Sequence, residues 1–509
     1  MNSLDLSYLT FEGIHGIEVF SLTVDYGIIP ISFSPSIQLL TNVRTVRLNG
    51  LELGDISFIG SLTSLEVLDL RCCDFNELPN EIGKLMSLKL LDLSECHIFG
   101  NNYNGAIGKC SQLEELYASA CYPKWFVHDV ILDIGIHSNL QRFVLEDPTL
   151  LSDLVFDDQI LQERRVLRVK DFNITKLKAS KKNILQIAEI ISLEDLHGGC
   201  QNIIPDMVGV VGGMNDLTSL HLKSCQEIEC IFDATYDFKE DDLIPRLVKL
   251  RLRSMSNLTE LYRGPPLEVL RYFEKLELLD IHLCRKLQIK FPWECKLRNL
   301  KFLSLSGCRT DEVLFSASVA QSLQQLEQLK ISGCYELKHI IAASGSQHGG
   351  SNTSEEISPA PMNSHFLITK LRDVNIIDCP SLESIFPICY VEGLTQLQKM
   401  EITLSPKLKY VFGKCDHEEH LSSHHVMLPH LEVLGLSLLG NLVGMCPENC
   451  QAKWLSQSLR MLNIGNCPKL AIPWFNLKVG YDQRPHHPNE VRTLIEMFYI
   501  FVIFMLFSF

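Results

Sequence analysis

The chain has 509 residues, 46% of them apolar and 21% charged, and a formal net charge of −15. That balance suits a chain able to bury a core and excludes a disordered one. An acidic chain gains no counterion-release energy on DNA or RNA, which excludes nucleic acid as its main ligand.

The N-terminal sequence MNSLDLSYLTFEGIHG has neither a basic start nor a long apolar stretch, so it does not read as a secretory signal. The eighteen cysteines are therefore expected as reduced thiols in the cytoplasm. Residues 1–16 read as the truncated edge of a repeat array that runs over 17–475. Its unit is L-x-x-L-x-L, clearest at Leu65, Leu68 and Leu70 and again at Leu88, Leu91 and Leu93. Central apolar positions recur at Phe20, Val46, Leu68, Leu91, Leu116, Phe143, Leu167, Ile191, Leu220, Leu250 and Leu279. They continue at Leu303, Leu329, Val374, Met400, Leu434 and Leu462, giving about seventeen units. The mean period of about 28 residues lies in the leucine-rich-repeat range. Each unit predicts a short strand, and stacked strands predict a parallel sheet. The expected fold is an α/β leucine-rich-repeat solenoid, a horseshoe with its sheet on the concave face and irregular helix and loop on the convex face. No unit can bury its leucines alone, so stability must come from neighbours.

Five residues past the central position stand Cys73, Cys96, Cys121, Cys225, Cys284, Cys308, Cys334, Cys379 and Cys467. That place favours a small side chain that packs and still makes weak hydrogen bonds. Single cysteines at repeat spacing are neither a disulfide framework nor a zinc site. After the strand, early repeats carry Leu78-Pro79. Later ones carry a second apolar set, as at Ile228, Ile231 and Phe232, expected to fill the convex side.

Three polar insertions interrupt the array, at 233–245, 342–364 and 413–429. The last holds Cys415, His417, His420, His424 and His425, whose spacing fits no common zinc pattern, so it reads as a solvated loop. No metal or cofactor is expected, and no catalytic motif occurs, so no enzyme activity is expected. Sequons at Asn173, Asn257 and Asn352 are read as unused. A polar tail spans 476–496. The apolar run 497–509 would make a helix of about 20 Å, too short to span a bilayer; with 494–496 it leaves membrane association open.

Strand alternation puts His221, Lys223, Lys249, Arg251 and Arg253 together on the concave face, a basic patch suited to an acidic protein ligand. A second candidate set is Arg44, Arg47, Asp69, Arg71 and Asp92, near the N-terminal edge.

The stretches FEGIHGIEVFSL, LLTNVRTVRLNGLELGDISFIGSLTSLEVLDL and LPNEIGKLMSLKLLDLSEC resemble the repeat region of plant intracellular immune receptors, the coiled-coil, nucleotide-binding, leucine-rich-repeat disease resistance proteins. The later CPxLxxIF segments are similar to the same group. The resemblance implies a non-catalytic sensor that recognises a pathogen effector or a host protein. It also implies contact with a nucleotide-binding (NB-ARC) module, in cis or in trans, at the N-terminal set. No G-x-x-x-x-G-K-[ST] phosphate loop occurs, so nucleotide binding does not carry over. The alternative is the substrate receptor of an F-box-type ubiquitin ligase, whose helical F-box finds no room ahead of repeats that begin by Ile17.

Overall fold

The computed structural model describes residues 4–14, 16–24, 27–100, 105–134, 139–150, 165–176, 184–211, 213–233, 235, 244–264, 273–341, 368–414, 428–447 and 458–470. The apolar run 497–509, the polar tail, insertion 342–364 and most of insertions 233–245 and 413–429 lie outside the described residues. So do Asn352, Cys415, His417, His420, His424 and His425.

The chain divides into two compact units, Met1–Gln288 and Ile289–Phe509. In unit 1 the main sheet takes one strand from each repeat. These are β1 (Val19–Thr23), β2 (Thr45–Asn49), β3 (Val67–Asp69), β4 (Leu90–Asp92), β5 (Glu115–Ser119) and β6 (Arg142–Glu146). They continue with β7 (Arg165–Lys170), β8 (Ile190–Glu194), β9 (Ser219–Lys223), β10 (Lys249–Arg253) and β11 (Leu278–His282). Every pairing is parallel and joins strands consecutive along the chain. Unit 2 repeats the plan with β12 (Phe302–Ser306), β13 (Gln328–Ser332), β14 (Asp373–Ile377), β15 (Lys399–Thr403), β16 (Val433–Ser437) and β17 (Met461–Gly465).

The central apolar residues meet as the repeat spacing predicts. Phe20 faces Val46, Leu220 faces Leu250, and Leu303 faces Leu329. One step differs. Phe143 pairs with Arg165, and it is Leu145 that pairs with Leu167. The register slips by two residues between β6 and β7, and a slip of two keeps every side chain on its own face. Inward residues such as Leu91, Leu220 and Leu303 are fully buried. Burial of each stabilises by roughly 1.5–3 kcal/mol.

The side opposite the main sheet holds more strand than an irregular helix-and-loop face would. Short parallel strands Ile29–Phe33, Leu51–Leu53, Asp74–Phe75 and His97–Ile98 pair in sequence, and Leu4–Leu6 pairs onto the first of them. Further along, Asn202–Ile204, Cys230–Asp233 and Glu260–Arg263 do the same. Between these layers, 3-10 turns at Ser57–Ser61 and Asn80–Lys84 bury Ile59 and Ile82. The second apolar set lies in the core, with Ile228, Ile231 and Phe232 each at most 2% exposed.

What turns the chain inward after most of these strands is a single left-handed residue. Every described non-glycine residue with positive φ lies one place before the cysteine position, from Cys72 and Glu95 to Leu438 and Asn466. Gly307 and Gly333, both at φ +61°, hold the same place. There the backbone N–H still reaches the next strand. Ser224 donates to the Arg253 carbonyl at 2.9 Å and Gly307 to the Ser332 carbonyl at 2.8 Å. The side chain that follows is thereby aimed into the core. A Cβ added at Gly333 would have only ordinary contacts, the nearest at 3.5 Å, so a substitution there reads backbone strain alone. Gly333→Val is expected to lower the unfolding free energy by about 2 kcal/mol, and Gly333→Asn by less than about 1 kcal/mol. Urea midpoints of the two variants check the difference.

The cysteines at the next position fill the place expected of them. The Cys96 thiol donates to the Leu70 carbonyl at 3.0 Å and the Cys73 thiol to Leu48 at 3.2 Å. Those of Cys225, Cys284 and Cys467 reach the equivalent carbonyls of Leu193, Leu252 and Leu436. Each thiol thus stitches its own turn to the strand before it. Cys389 departs from the expectation of reduced thiols throughout, since it is disulfide-bonded.

Candidate functional site

The five residues expected together do share one patch of the main sheet. In β9 and β10, Ser219 pairs with Lys249, His221 with Arg251 and Lys223 with Arg253. Leu220, Leu222, Leu250 and Leu252 are buried between them, so alternation leaves all five polar side chains half-exposed on the open face. Strands about 4.8 Å apart hold the charges in two rows.

Acids frame the patch. On the β8 side, the Lys223 ammonium lies 3.1 Å from a Glu194 oxygen, and Lys170 of β7 pairs with the same carboxylate. On the β11 side, Arg253 lies 3.5 Å from Asp280. His221 Nδ1 stands 3.1 Å from the Ser192 hydroxyl. Burial, then the Arg253 guanidinium, hold the His282 imidazole below its usual value, with Asp280 opposing. The sequence reading missed Glu194, Asp280, Lys170 and Arg168. The signal for them was the same alternation, continued one strand to either side for Glu194 and Asp280 and two strands, to β7, for Lys170 and Arg168.

The second set splits in two. Arg47, Asp69 and Asp92 do form one row across β2, β3 and β4. Arg71 grips Asp69 with Nε at 3.0 Å and Nη2 at 2.9 Å, and its Nε lies 3.5 Å from Asp92. Burial pushes the Asp92 carboxyl up, against the Ser94 backbone hydrogen bond that lowers it. Arg44 does not join them. It donates to Glu66 at 3.2 Å, beside Lys89 at 2.8 Å from the same carboxylate. Arg44 precedes the strand, where the chain crosses the sheet edge, and so falls outside the row that strand alternation builds. Among the described residues no cluster of three His, Cys, Asp or Glu side chains suits a metal ion, and no helix is long and apolar enough to cross a membrane.

Comparison with known families bears on this geometry. Residues 64–85, the repeat built on β3, match the model named Leucine Rich Repeat. Each unit is a leucine-rich-repeat solenoid. Residues 163–297 match the model for "Plant disease resistance protein RPS2-like, leucine-rich repeats", and that stretch spans β7 to β11. No curated relative matches the chain. Similar solved structures include the leucine-rich-repeat ectodomain of the plant membrane receptor kinase GASSHO1/SCHENGEN3 from Arabidopsis thaliana. It is 15% identical with a TM-score of 0.45, over 88% of this chain and 50% of that one. The Arabidopsis receptor kinase HAESA, in complex with the peptide hormone IDA and the co-receptor SERK1, is 14% identical with a TM-score of 0.43, over 91% and 76%. The functional domain of InlJ from Listeria monocytogenes is 12% identical with a TM-score of 0.41, over 80% and 78%. The leucine-rich-repeat chain here spans half the length of the first of these.

Proposed function

We propose that this chain is the recognition array of a plant intracellular immune receptor, non-catalytic and cytoplasmic, which captures an acidic protein surface on His221, Lys223, Lys249, Arg251 and Arg253. One observation carries this reading: the in-register basic patch falls inside the stretch matched by the RPS2-like repeat model. An open sheet face with cations fixed in rows is a surface for a protein, not a cleft for a small molecule. Glu194 and Asp280 orient the patch before any partner arrives. Arg251 and Arg253 offer planar, paired donors that a partner's carboxylates can accept. The partner is a pathogen effector or a host protein, and the receptor's nucleotide-binding module is the element it biases. A ligand preferring one arrangement of module and repeats shifts that equilibrium by its difference in affinity.

The test is a pull-down of effectors, host proteins and the nucleotide-binding module of a full-length relative against the wild-type chain and Lys249→Glu/Arg251→Glu/Arg253→Glu. Losing close charge pairs costs about 2–5 kcal/mol each, so the triple reversal is expected to weaken capture at least about a hundredfold and to flatten its salt dependence. Capture that is equally tight with the reversed patch would sink the proposal.

A further inference from the structure

We propose that the turn Pro292–Cys295 of unit 2, with exposed Trp293 at its corner and cations beside it, is a contact for an anionic membrane surface. The Cys295 N–H donates to the Pro292 carbonyl at 2.9 Å, which places Trp293 and Glu294 at the corner of the turn. Trp293 is 70% exposed. A second turn follows, closed by the Leu300 N–H on the Leu297 carbonyl at 3.2 Å, with Arg298 and Asn299 at its corner. Cys295, Leu297 and Leu300 point into the core, so Lys296 and Arg298 are exposed between them. Neither forms a salt bridge with any described residue. Over 290–301 the chain carries Lys290, Lys296, Arg298 and Lys301 against the single acid Glu294, Lys290 being paired with Asp311 at 3.9 Å, on a protein of net charge −15.

The next repeat holds the turns in place. The Ser318 hydroxyl donates to the Trp293 carbonyl at 2.6 Å, and the Leu297 N–H donates to the Ser322 hydroxyl at 2.8 Å. Both serines belong to the helix Ala317–Ser322 or its end. The ring is therefore presented on a fixed support.

Tryptophan ringed by Lys and Arg is the composition that partitions to a headgroup layer, with the amphipathic ring among the headgroups and the cations drawn by anionic lipid. The observations favour a bilayer over a protein. A stable protein interface buries roughly 800 Å² on each side with an apolar centre. Among the described residues, the exposed apolar matter here is one ring; the other exposed large hydrophobics of unit 2, Tyr335, Ile377, Met461 and Ile464, belong to other repeats.

The experiment is co-sedimentation of the full chain with phosphatidylcholine vesicles, with and without phosphatidylserine, at low and high salt. Binding is expected only with phosphatidylserine and is expected to fall with salt. Trp293→Ala is expected to lower partitioning about tenfold. Lys296→Glu and Arg298→Glu are each expected to lower it about fivefold or more. The fluorescence blue shift on binding is expected to vanish in Trp293→Phe, which assigns it among the four tryptophans. Equal binding to neutral vesicles, or binding indifferent to all these changes, means another segment meets the lipid and overturns the proposal. Capture of polyglutamate that depends on Trp293, without vesicle binding, overturns it in favour of an acidic protein.

Discussion

Raising the pH from about 8 to about 11 is expected to unfold unit 1 cooperatively, with the buried thiols as the cause. Burial pushes Cys73, Cys121, Cys200 and Cys230 up to about 12, and Cys225 and Cys284 up to about 11, from an ordinary value of 9.0. Below pH 9 both states keep the proton, and the stability is fully present. Between 9 and the folded value, the unfolded chain releases protons that the folded chain retains, so stability falls as pH rises. Each such thiol contributes a slope of about 1.4 kcal/mol per pH unit, and a marginal stability of roughly 5–15 kcal/mol cannot survive several acting together. The check is urea unfolding at a series of pH values, followed by circular dichroism. Cys73→Ala and Cys121→Ala should each lower stability at neutral pH by about 1 kcal/mol, through the lost thiol hydrogen bond or packing. Each should also make the alkaline slope shallower by about 1.4 kcal/mol per pH unit. A stability flat up to pH 11 would mean that the thiols are not held neutral by the fold. In native protein at pH 8, half-exposed Cys72 and Cys467 should react with a thiol reagent well before the buried set.

The same cysteines show how much of this fold the sequence displays. A parallel sheet needs one side-chain period, and Leu68, Leu91, Leu220 and Leu303 carry it openly, so strand positions and the inward face could be read directly. The slip between β6 and β7 could not. A two-residue shift exchanges Phe143 for Leu145 as the partner of Leu167, and both are apolar and inward, so hydrophobic alternation is blind to it. The left-handed residue was visible only in part. Gly307, Gly333 and Asn466 advertise it, but Leu283, Leu404 and Leu438 occupy the same backbone conformation against their own preference. Ladder hydrogen bonds such as Leu438 N–H to the Gly465 carbonyl at 2.8 Å hold them there. The basic patch was legible because alternation fixes which residues face out. Its acidic frame, Glu194 and Asp280, requires knowing which strand lies beside which. Arg44 was misplaced because it precedes its strand, where the period of two does not apply.

Arg168→Met is expected to lower the unfolding free energy by about 3 kcal/mol, more than other single changes on the open face of the sheet. The residue lies where the register slips. Glu146 of β6 pairs directly with Arg168 of β7, and Arg168 Nε lies 3.4 Å from a Glu146 oxygen, an ion contact without the alignment of a hydrogen bond. Their side chains are 8% and 15% exposed, the most buried ion pair among the described residues. Ser119 also donates its hydroxyl to Glu146. Beside Glu146 is Asp147, fully buried, one oxygen of which accepts from the Thr149 N–H and hydroxyl at 2.8 and 2.6 Å. Taking away the guanidinium leaves the nearly buried Glu146 carboxylate without the cation that faces it, and removing one partner of such a pair costs about 3–5 kcal/mol. Arg168→Lys keeps the charge but loses the planar fork and should cost less. The double variant Glu146→Gln/Arg168→Met should recover most of the loss, because the burial penalty goes with the charge. Urea unfolding of the wild type, Glu146→Gln, Arg168→Met and the double variant closes the cycle. Amide exchange in β7 should quicken in Arg168→Met if the pair also pins the slipped register. Two small single-site losses that simply add would show that Glu146 and Arg168 are uncoupled, and that the step between β6 and β7 is held by its apolar face alone.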